Sequence, residues 1–429
     1  MSKEVSYSTS HRKTALLLSI IPGLGQLYNK QILKGISFLV LAASFFIVFY
    51  NFLNYGLWGL FTLGTVPMLD HSIFLMVYGI LAIIVIAFGL GFYVFNLRDA
   101  YKIGQRRDSQ EPVTSVKEQY RNLIDNGFPY LIMSPGFLLL VFVVIFPIIF
   151  VILLGFTNYD LYHSPPAKLV EWVGFKNFIE IFQIDMWRET FFSVLAWTIV
   201  WTFVATTFQV ALGIFLAIIV NQKEVKGKAI IRTVFILPWA VPAFVSILVF
   251  AGMFNETFGT INVDILEKIF HIQGLPWMTE PLYTRIALIL IQTWLGFPFV
   301  FAMTTGVLQS IPQDLYEAAT VDGASTFQKF KNITLPLVLF ATAPVIITQY
   351  TFNFNNFNLI YMFNGGGPAV PAQNAGGTDI LISWIYRLTM NTGQYSKAAT
   401  LTLLLSIIVI SVALWQFRRT KSFQEEDMM

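Results

Sequence analysis

Long apolar runs separated by polar connections set the pattern of this chain. A helix crossing a hydrocarbon layer of ~30 Å needs about 20 largely apolar residues. Eight stretches qualify, at about 35–52, 72–95, 130–154, 191–220, 230–254, 286–308, 337–360 and 398–417. A shorter apolar run, 15–21, is followed at once by Pro22, Gly23 and Gly25. It is too short to span, and no small-residue cleavage site follows, so it reads as an interfacial or half-inserted hairpin rather than a secretory signal.

Composition turns an apolar pattern into a membrane assignment. Of 429 residues, 56% are hydrophobic and only 12% charged, against about 25% charged in an ordinary soluble domain. The mean hydropathy is +0.66, and a soluble fold of this size would lack polar surface. The expected fold class is all-α: a polytopic membrane protein with eight transmembrane helices. A net charge of +3 is too small to point to nucleic acid, and with no cysteine there are no disulfides, thiolate metal sites or cysteine nucleophile.

Basic residues orient the spans, because inner connections carry the excess of Lys and Arg. With the N-terminus inside, eight spans return the C-terminus inside. Of the 27 Lys and Arg, only Lys168, Lys176, Arg188, Lys268, Arg285, Arg387 and Lys397 then fall outside or at outer helix ends. The inner set includes Lys3, Lys223 and Lys421. Three outer connections, 155–190 (with Trp172, Phe175 and Phe178), 255–284 and 361–396 (with Gly365-Gly366-Gly367-Pro368), are long enough to form a docking rim, the alternative being solvated linker.

The inner connection between the sixth and seventh spans, 311–336, reads as helix, glycine turn, helix. Pro312 suits a helix start, and Leu315, Ala318, Ala319 and Asp322 fall at helical spacing. Gly323 allows the turn, Phe327, Phe330 and Ile333 make an apolar stripe, and Pro336 opens the seventh span. Small Ala318 and Ala319 would admit another protein close to the backbone, with Glu317 and Asp322 ready to bond its donors. The stretch resembles the coupling loop of ABC importer permeases: E-A-A, three residues, G, nine residues, I-x-L-P, met here by Glu317, Ala318, Ala319, Gly323, Ile333, Leu335 and Pro336.

The likeness extends to Leu237-Pro238-Trp239-Ala240-Val241-Pro242, Trp294-Leu295-Gly296-Phe297-Pro298 and Phe352-Asn353-Phe354-Asn355-Asn356-Phe357, which resemble the maltose/maltodextrin permeases of MalF type. The resemblance implies a six-helix core at 130–420 with its coupling loop at 311–335, a peripheral segment 1–129 holding the first two spans, and a cytoplasmic tail 421–429. It also implies a multi-pass bacterial cytoplasmic-membrane location. The connection after the third span is short, as in permeases of Gram-positive bacteria, where the enterobacterial relative carries a large folded domain.

Four asparagines, Asn353, Asn355, Asn356 and Asn358, lie in one span and are costly there without partners. On a continuous helix Gln349, Phe352, Asn353 and Asn356 share one arc, with Asn355 and Asn358 opposite. The first set is expected to contact substrate, since amides supply donors and acceptors for hydroxyls and an aromatic supplies a plate for C–H groups. The second set is expected to bond between helices. The resemblance carries sugar contacts onto Phe352, Asn353 and Asn356, and onto Leu295, Gly296 and Phe299, the last a tyrosine in the enterobacterial relative. Gly296 and Pro298 are expected to break the sixth span, as a bendable gate element or as ordinary membrane-helix packing, with Pro238 and Pro242 read alike in the fifth.

No G-x-x-x-x-G-K-[ST] loop is present, so ATP hydrolysis is assigned to other chains. His11, His71, His163 and His271 are scattered, no metal or catalytic constellation can be assembled, and buried carboxylates for ion-driven transport are almost missing. The expectation is a permease subunit, not an enzyme, of an ATP-driven importer of maltose/maltodextrin. Permeases for another sugar such as galactooligosaccharide, an ion-driven secondary carrier, or a membrane-embedded enzyme or assembly factor are the alternatives. Its implied partners are a second permease of related fold, two ATP-binding subunits that bind MgATP, an extracytoplasmic sugar-binding lipoprotein and the bilayer.

Overall fold

A computed structural model describes residues 10–113, 116–222 and 224–419. Lys3, Lys223, Lys421 and the tail 421–429, which enter the orientation and domain expectations, lie outside the described residues. Among the described residues there are helices and no strands, only two isolated bridges, Thr157 with Trp172 and Ala369 with Gly376. Seven helical stretches among the described residues are long and apolar enough to cross a membrane, and a bent pair, counted as one span, makes an eighth. The eight expected spans are all accounted for.

The chain forms two compact units. The first takes in residues up to Asn177 together with Gln394–Thr400. It opens with a short hairpin, α1 (His11–Leu18) and α2 (Leu24–Tyr28), followed by α3 (Ile32–Thr62) and α4 (Ser72–Asp108). The third span consists of α5 (Val116–Leu140), a π turn at Val141–Ile145 and α6 (Phe146–Leu154). Leu63, Met76, Ile80, Ile84, Val141 and Val170 form its apolar core.

The hairpin is fastened to α4 by polar groups. Asn96 accepts from the Gly23 N–H at 3.2 Å and donates to the Ser19 carbonyl at 2.9 Å. Gln26 donates to the Asn96 carbonyl and to Asp99, and Asn29 donates to the Ala100 carbonyl at 2.9 Å. Asp108 accepts from the His11 and Arg12 N–H groups at 2.7 and 3.2 Å, capping the otherwise unpaired start of α1. Lys34 pairs with Asp99 at 2.6 Å.

The second unit comprises Phe178–Gly393 and the residues from Leu401 onward. After α7 (Lys176–Gln183), which straddles the division between the units, come α8 (Asp185–Asn221), α9 (Lys228–Ala240), α10 (Ala243–Met253), a π-helical segment (Ile261–Ile269) and α11 (Pro281–Ser310). Next are α12 (Gln313–Val321), α13 (Thr326–Lys329), α14 (Leu335–Phe354), α15 (Phe357–Asn364), α16 (Leu381–Met390) and α17 (Tyr395–Arg419), whose residues up to Thr400 belong to the first unit. Trp201, Ala205, Leu288, Ile291, Leu359 and Ile360 lie in the largest core cluster.

Two spans differ from the sequence expectation. Helix α11 runs unbroken through Gly296 and Pro298, so the expected interruption of the sixth span is absent. The sharp bend falls in the fifth span, where α9 and α10 meet at 89°. Val241 precedes Pro242 and is extended (φ −97°, ψ 130°), as the proline ring forces on the residue before it. Pro238, by contrast, sits inside α9. The seventh span is not one continuous helix either: α14 stops at Phe354 and α15 starts at Phe357.

Candidate functional site

Helices α8, α11 and α14 bring amide side chains to one place inside the second unit. Gln209 of α8 is central. Its Oε1 accepts from Gln292 Nε2 of α11 at 2.9 Å and from Asn353 Nδ2 of α14 at 3.4 Å. Its Nε2 donates to Gln349 Oε1 at 3.2 Å. Asn353 Nδ2 also donates to Thr206 Oγ1 at 2.9 Å, and Trp201 Nε1 donates to the Asn353 carbonyl at 2.9 Å. Asn356 donates to Gln292 Oε1 at 2.8 Å and to Asn353 Oδ1 at 3.4 Å. No ionisable side chain takes part in these bonds, so the cluster is a neutral field of donors and acceptors.

Two local features build it. A Cβ on Gly296 would lie 2.1 Å from Gln209 Oε1, so any side chain there would displace that amide. The break after Phe354 frees Asn356 from the helical wheel, and its side chain caps α15 by accepting from the Leu359 N–H.

Of the sequence candidates, Gln349, Asn353, Asn356 and Gly296 come together. Phe352 does not join them: it is 61% exposed on another side of α14. Phe299 packs on Trp239 with ring centroids 5.4 Å apart, and Leu295 packs against the apolar core. Asn355 and Asn358, expected to bond between helices, are exposed, and Asn355 reaches only the Thr351 carbonyl of its own helix. The buried interhelical bonds belong to Asn353 and Asn356 instead. Gln209, Gln292 and Thr206 are not among the sequence candidates, although the cost of burying an uncharged polar group in an apolar span applies to each as it does to asparagine.

The hairpin 311–336 is the second feature. Pro312 is the N-cap of α12, and Gly323 takes φ +77° at the turn, a conformation that glycine adopts without a Cβ penalty. Ser325 and Gln328 form a capping box that starts α13. Lys329 Nζ donates to Thr320 Oγ1 at 3.0 Å, and the Tyr316 and Thr334 hydroxyls are 2.9 Å apart. These bonds hold the hairpin closed while Glu317, Ala318, Val321, Asp322 and Phe327 stay exposed. Ala319, Ile333 and Leu335 are half-buried, and Pro336 lies in the first turn of α14.

A third polar group lies in the connection between α15 and α16. The buried Asp379 carboxylate accepts from Gly376 N–H and Ser383 Oγ, both at 2.8 Å, and meets Arg387 Nε at 3.0 Å. A Cβ on Gly366 would lie 1.8 Å from Asp379 Oδ1. Burial pushes the Asp379 pKa up to about 6, against the opposing pull of Arg387 and the two hydrogen bonds.

Residues 209–422, which contain both the amide cluster and the hairpin, match the family described as binding-protein-dependent transport system inner membrane component. Along nearly its whole length the chain is 64% identical to the galactooligosaccharides transport system permease protein GanP of Bacillus subtilis, over 97% of this chain and 99% of that protein. The chain belongs to this family. The permease is also 49% identical to the maltodextrin transport system permease protein MdxF of Bacillus subtilis, over 98% of each chain. In fold it is similar to a chain in a crystal structure of a bacterial ABC transporter involved in alginate import (TM-score 0.57, 19% identity), covering 70% of this chain and 96% of that one. It is the permease of an ABC sugar importer, an all-α membrane protein of the MalF type.

Proposed function

We propose that the permease carries a neutral oligosaccharide through contacts with Gln209, Gln292, Gln349, Asn353 and Asn356, and that the hairpin 311–336 couples it to ATP hydrolysis elsewhere. The observation that carries the substrate reading is the uncharged amide cluster. Each amide both donates and accepts, as sugar hydroxyls do, so bonds within the cluster exchange for bonds to substrate at small net cost. The exposed Glu317-Ala318 face on an internally fastened hairpin supports the coupling reading, because a lever needs an open face and a stiff body.

In this reading residues 130–420 are the permease core and 1–129 are peripheral. Both termini face the cytoplasm. The assembly holds a second permease, two ATP-binding subunits that bind MgATP, and an extracytoplasmic sugar-binding lipoprotein. Among sugars, the higher identity to GanP favours galactooligosaccharide over the maltodextrin expected from the sequence motifs.

The test is uptake by the assembled transporter in vesicles, with galactooligosaccharide and maltodextrin offered separately and in competition. Asn353→Ala and Asn356→Ala are expected to lower sugar-stimulated uptake, and full retention would overturn the site. Glu317→Lys and Gly323→Pro are expected to abolish coupling while the complex still binds sugar. Intact docking and uptake in both would overturn the role of the hairpin.

A further inference from the structure

The hairpin α1–α2 has two unlike faces. One is locked to α4 through Asn96, Gln26, Asn29 and Asp99, all side chains that bond across the contact. The other is apolar and open, with Leu17 67% exposed and Ile20 61% exposed, beside exposed Ile21. The open face leads directly into exposed Ile32 and Leu33 at the start of α3, a helix long and apolar enough to cross a membrane. Lipid covers the flank of a spanning helix, and a strip continuous with that flank meets the same surroundings at the edge of the bilayer.

Cations sit beside the strip. On α1, Lys13 and Leu17 are one turn apart and both exposed, as are Arg12 and Leu16. Lys30, in the link to α3, is exposed too. Among the described residues neither Lys13 nor Lys30 has an acidic partner; Arg12 lies 3.8 Å from Asp108. Apolar side chains flanked by exposed lysines are the pattern of a helix lying in the headgroup layer, where long basic side chains reach phosphates while their stems stay with lipid.

We propose that residues 10–34 are a membrane-surface anchor that binds anionic phospholipid. Leu17, Ile20 and Ile21 enter the acyl edge, and Lys13 and Lys30 meet headgroup phosphates. The polar lock on α4 then ties the inner ends of the first two spans to that surface. The reading is independent of which sugar is carried.

The chain has no cysteine, so Leu17→Cys and Ile20→Cys each accept one environment-sensitive fluorophore on this chain, which is labelled before the transporter is assembled with the partner subunits. The labelled complexes are placed in nanodiscs of phosphatidylcholine with or without phosphatidylglycerol. Both labels are expected to be quenched by headgroup-region spin-labelled lipid and protected from iodide, unlike a label at Gln110→Cys. Replacing Lys13 and Lys30 with Gln is expected to lower phosphatidylglycerol retention, read by native mass spectrometry, roughly thirtyfold, with both labels still in lipid. Labels open to iodide overturn the anchor, as do labels protected only when ATP-binding subunits are present, which would make the face a protein contact. Equal retention by wild type and the double lysine variant overturns the anionic-lipid assignment.

Discussion

Where α4 meets the N-terminal hairpin, Asn96, Gln26 and Asn29 direct their hydrogen bonds largely at main-chain groups. Where α8, α11 and α14 meet, Gln209, Gln292, Gln349, Asn353 and Asn356 direct theirs mainly at one another. The amides themselves are the same residue types in both places, although ionic Asp99 and Arg107 also bond to the hairpin set, so residue type alone does not separate them. Their partners do. A main-chain group at a turn has no second partner to move to, so a side chain that bonds it is a fixed part of the fold. An amide bonded to an amide can turn and take a hydroxyl instead, which is why the second set is proposed as a receptor and the first read as a fastening.

The largest expected effect breaks the fastening. Asn96→Leu leaves the Ser19 carbonyl and the Gly23 N–H buried without their partner. At about 2 kcal/mol for each orphaned group, the loss is about 4 kcal/mol. It should be read as a lowered unfolding midpoint in detergent, with the KM for sugar unchanged. A loss of function without a loss of stability would erase the distinction between the two clusters.

Asp379 tests a cluster that contains a charge. Its pKa rises from the ordinary 3.8 to about 6 in the fold, so the folded state holds a proton more tightly than the unfolded chain. That contribution to stability is fully present below about pH 4 and is lost as pH rises through 6, in all about 3 kcal/mol. The wild-type melting temperature should therefore fall across this range relative to Asp379→Asn, which lacks the step. Arg387→Gln removes the opposing charge and should enlarge it. A flat difference between wild type and Asp379→Asn would mean that the carboxylate ionises in the fold as it does in water.

Gly296 sharpens the comparison from the other side. A methyl at this position pushes against Gln209 Oε1, and the overpacking should cost about 1.4 kcal/mol of stability, read as a lowered unfolding midpoint in detergent. Gln209→Ser in the same chain gives the methyl room. If the double variant is no better than Gly296→Ala alone, the defect does not run through the amide.

Much of this was legible from residue order. Spans follow from apolar run length, and the hairpin 311–336 follows from Pro312, Gly323 and helical spacing, because those signals act through nearest neighbours along the chain. The amide cluster was half legible. Gln349, Asn353 and Asn356 stood out as a group in one span, whereas Gln209 and Gln292 stand alone in theirs and acquire meaning only when three helices meet. Prolines misled at Pro298, where α11 accommodates the ring, and were informative at Pro242, where an extended Val241 precedes the bend. The helical wheel failed for Phe352, which lies within the unbroken part of α14 at the edge of the expected arc and faces away from the cluster, and the opposite face carrying Asn355 is exposed rather than packed on another helix.

The smallest expected effect concerns the asparagines outside the cluster. Asn355 and Asn358 are exposed, and the single weak bond of Asn355 at 3.4 Å stays within its own helix. Replacing either with Ala should change the stability of the isolated chain by less than about 0.5 kcal/mol, measured by its unfolding midpoint in detergent. Asn353→Ala, two residues before Asn355, removes donors to Thr206 and Gln209 and should exceed that several-fold. Should all three asparagines prove equal, burial among partners would not be what separates them, and the contrast between exchangeable and fixed polar groups would lose its basis in this span.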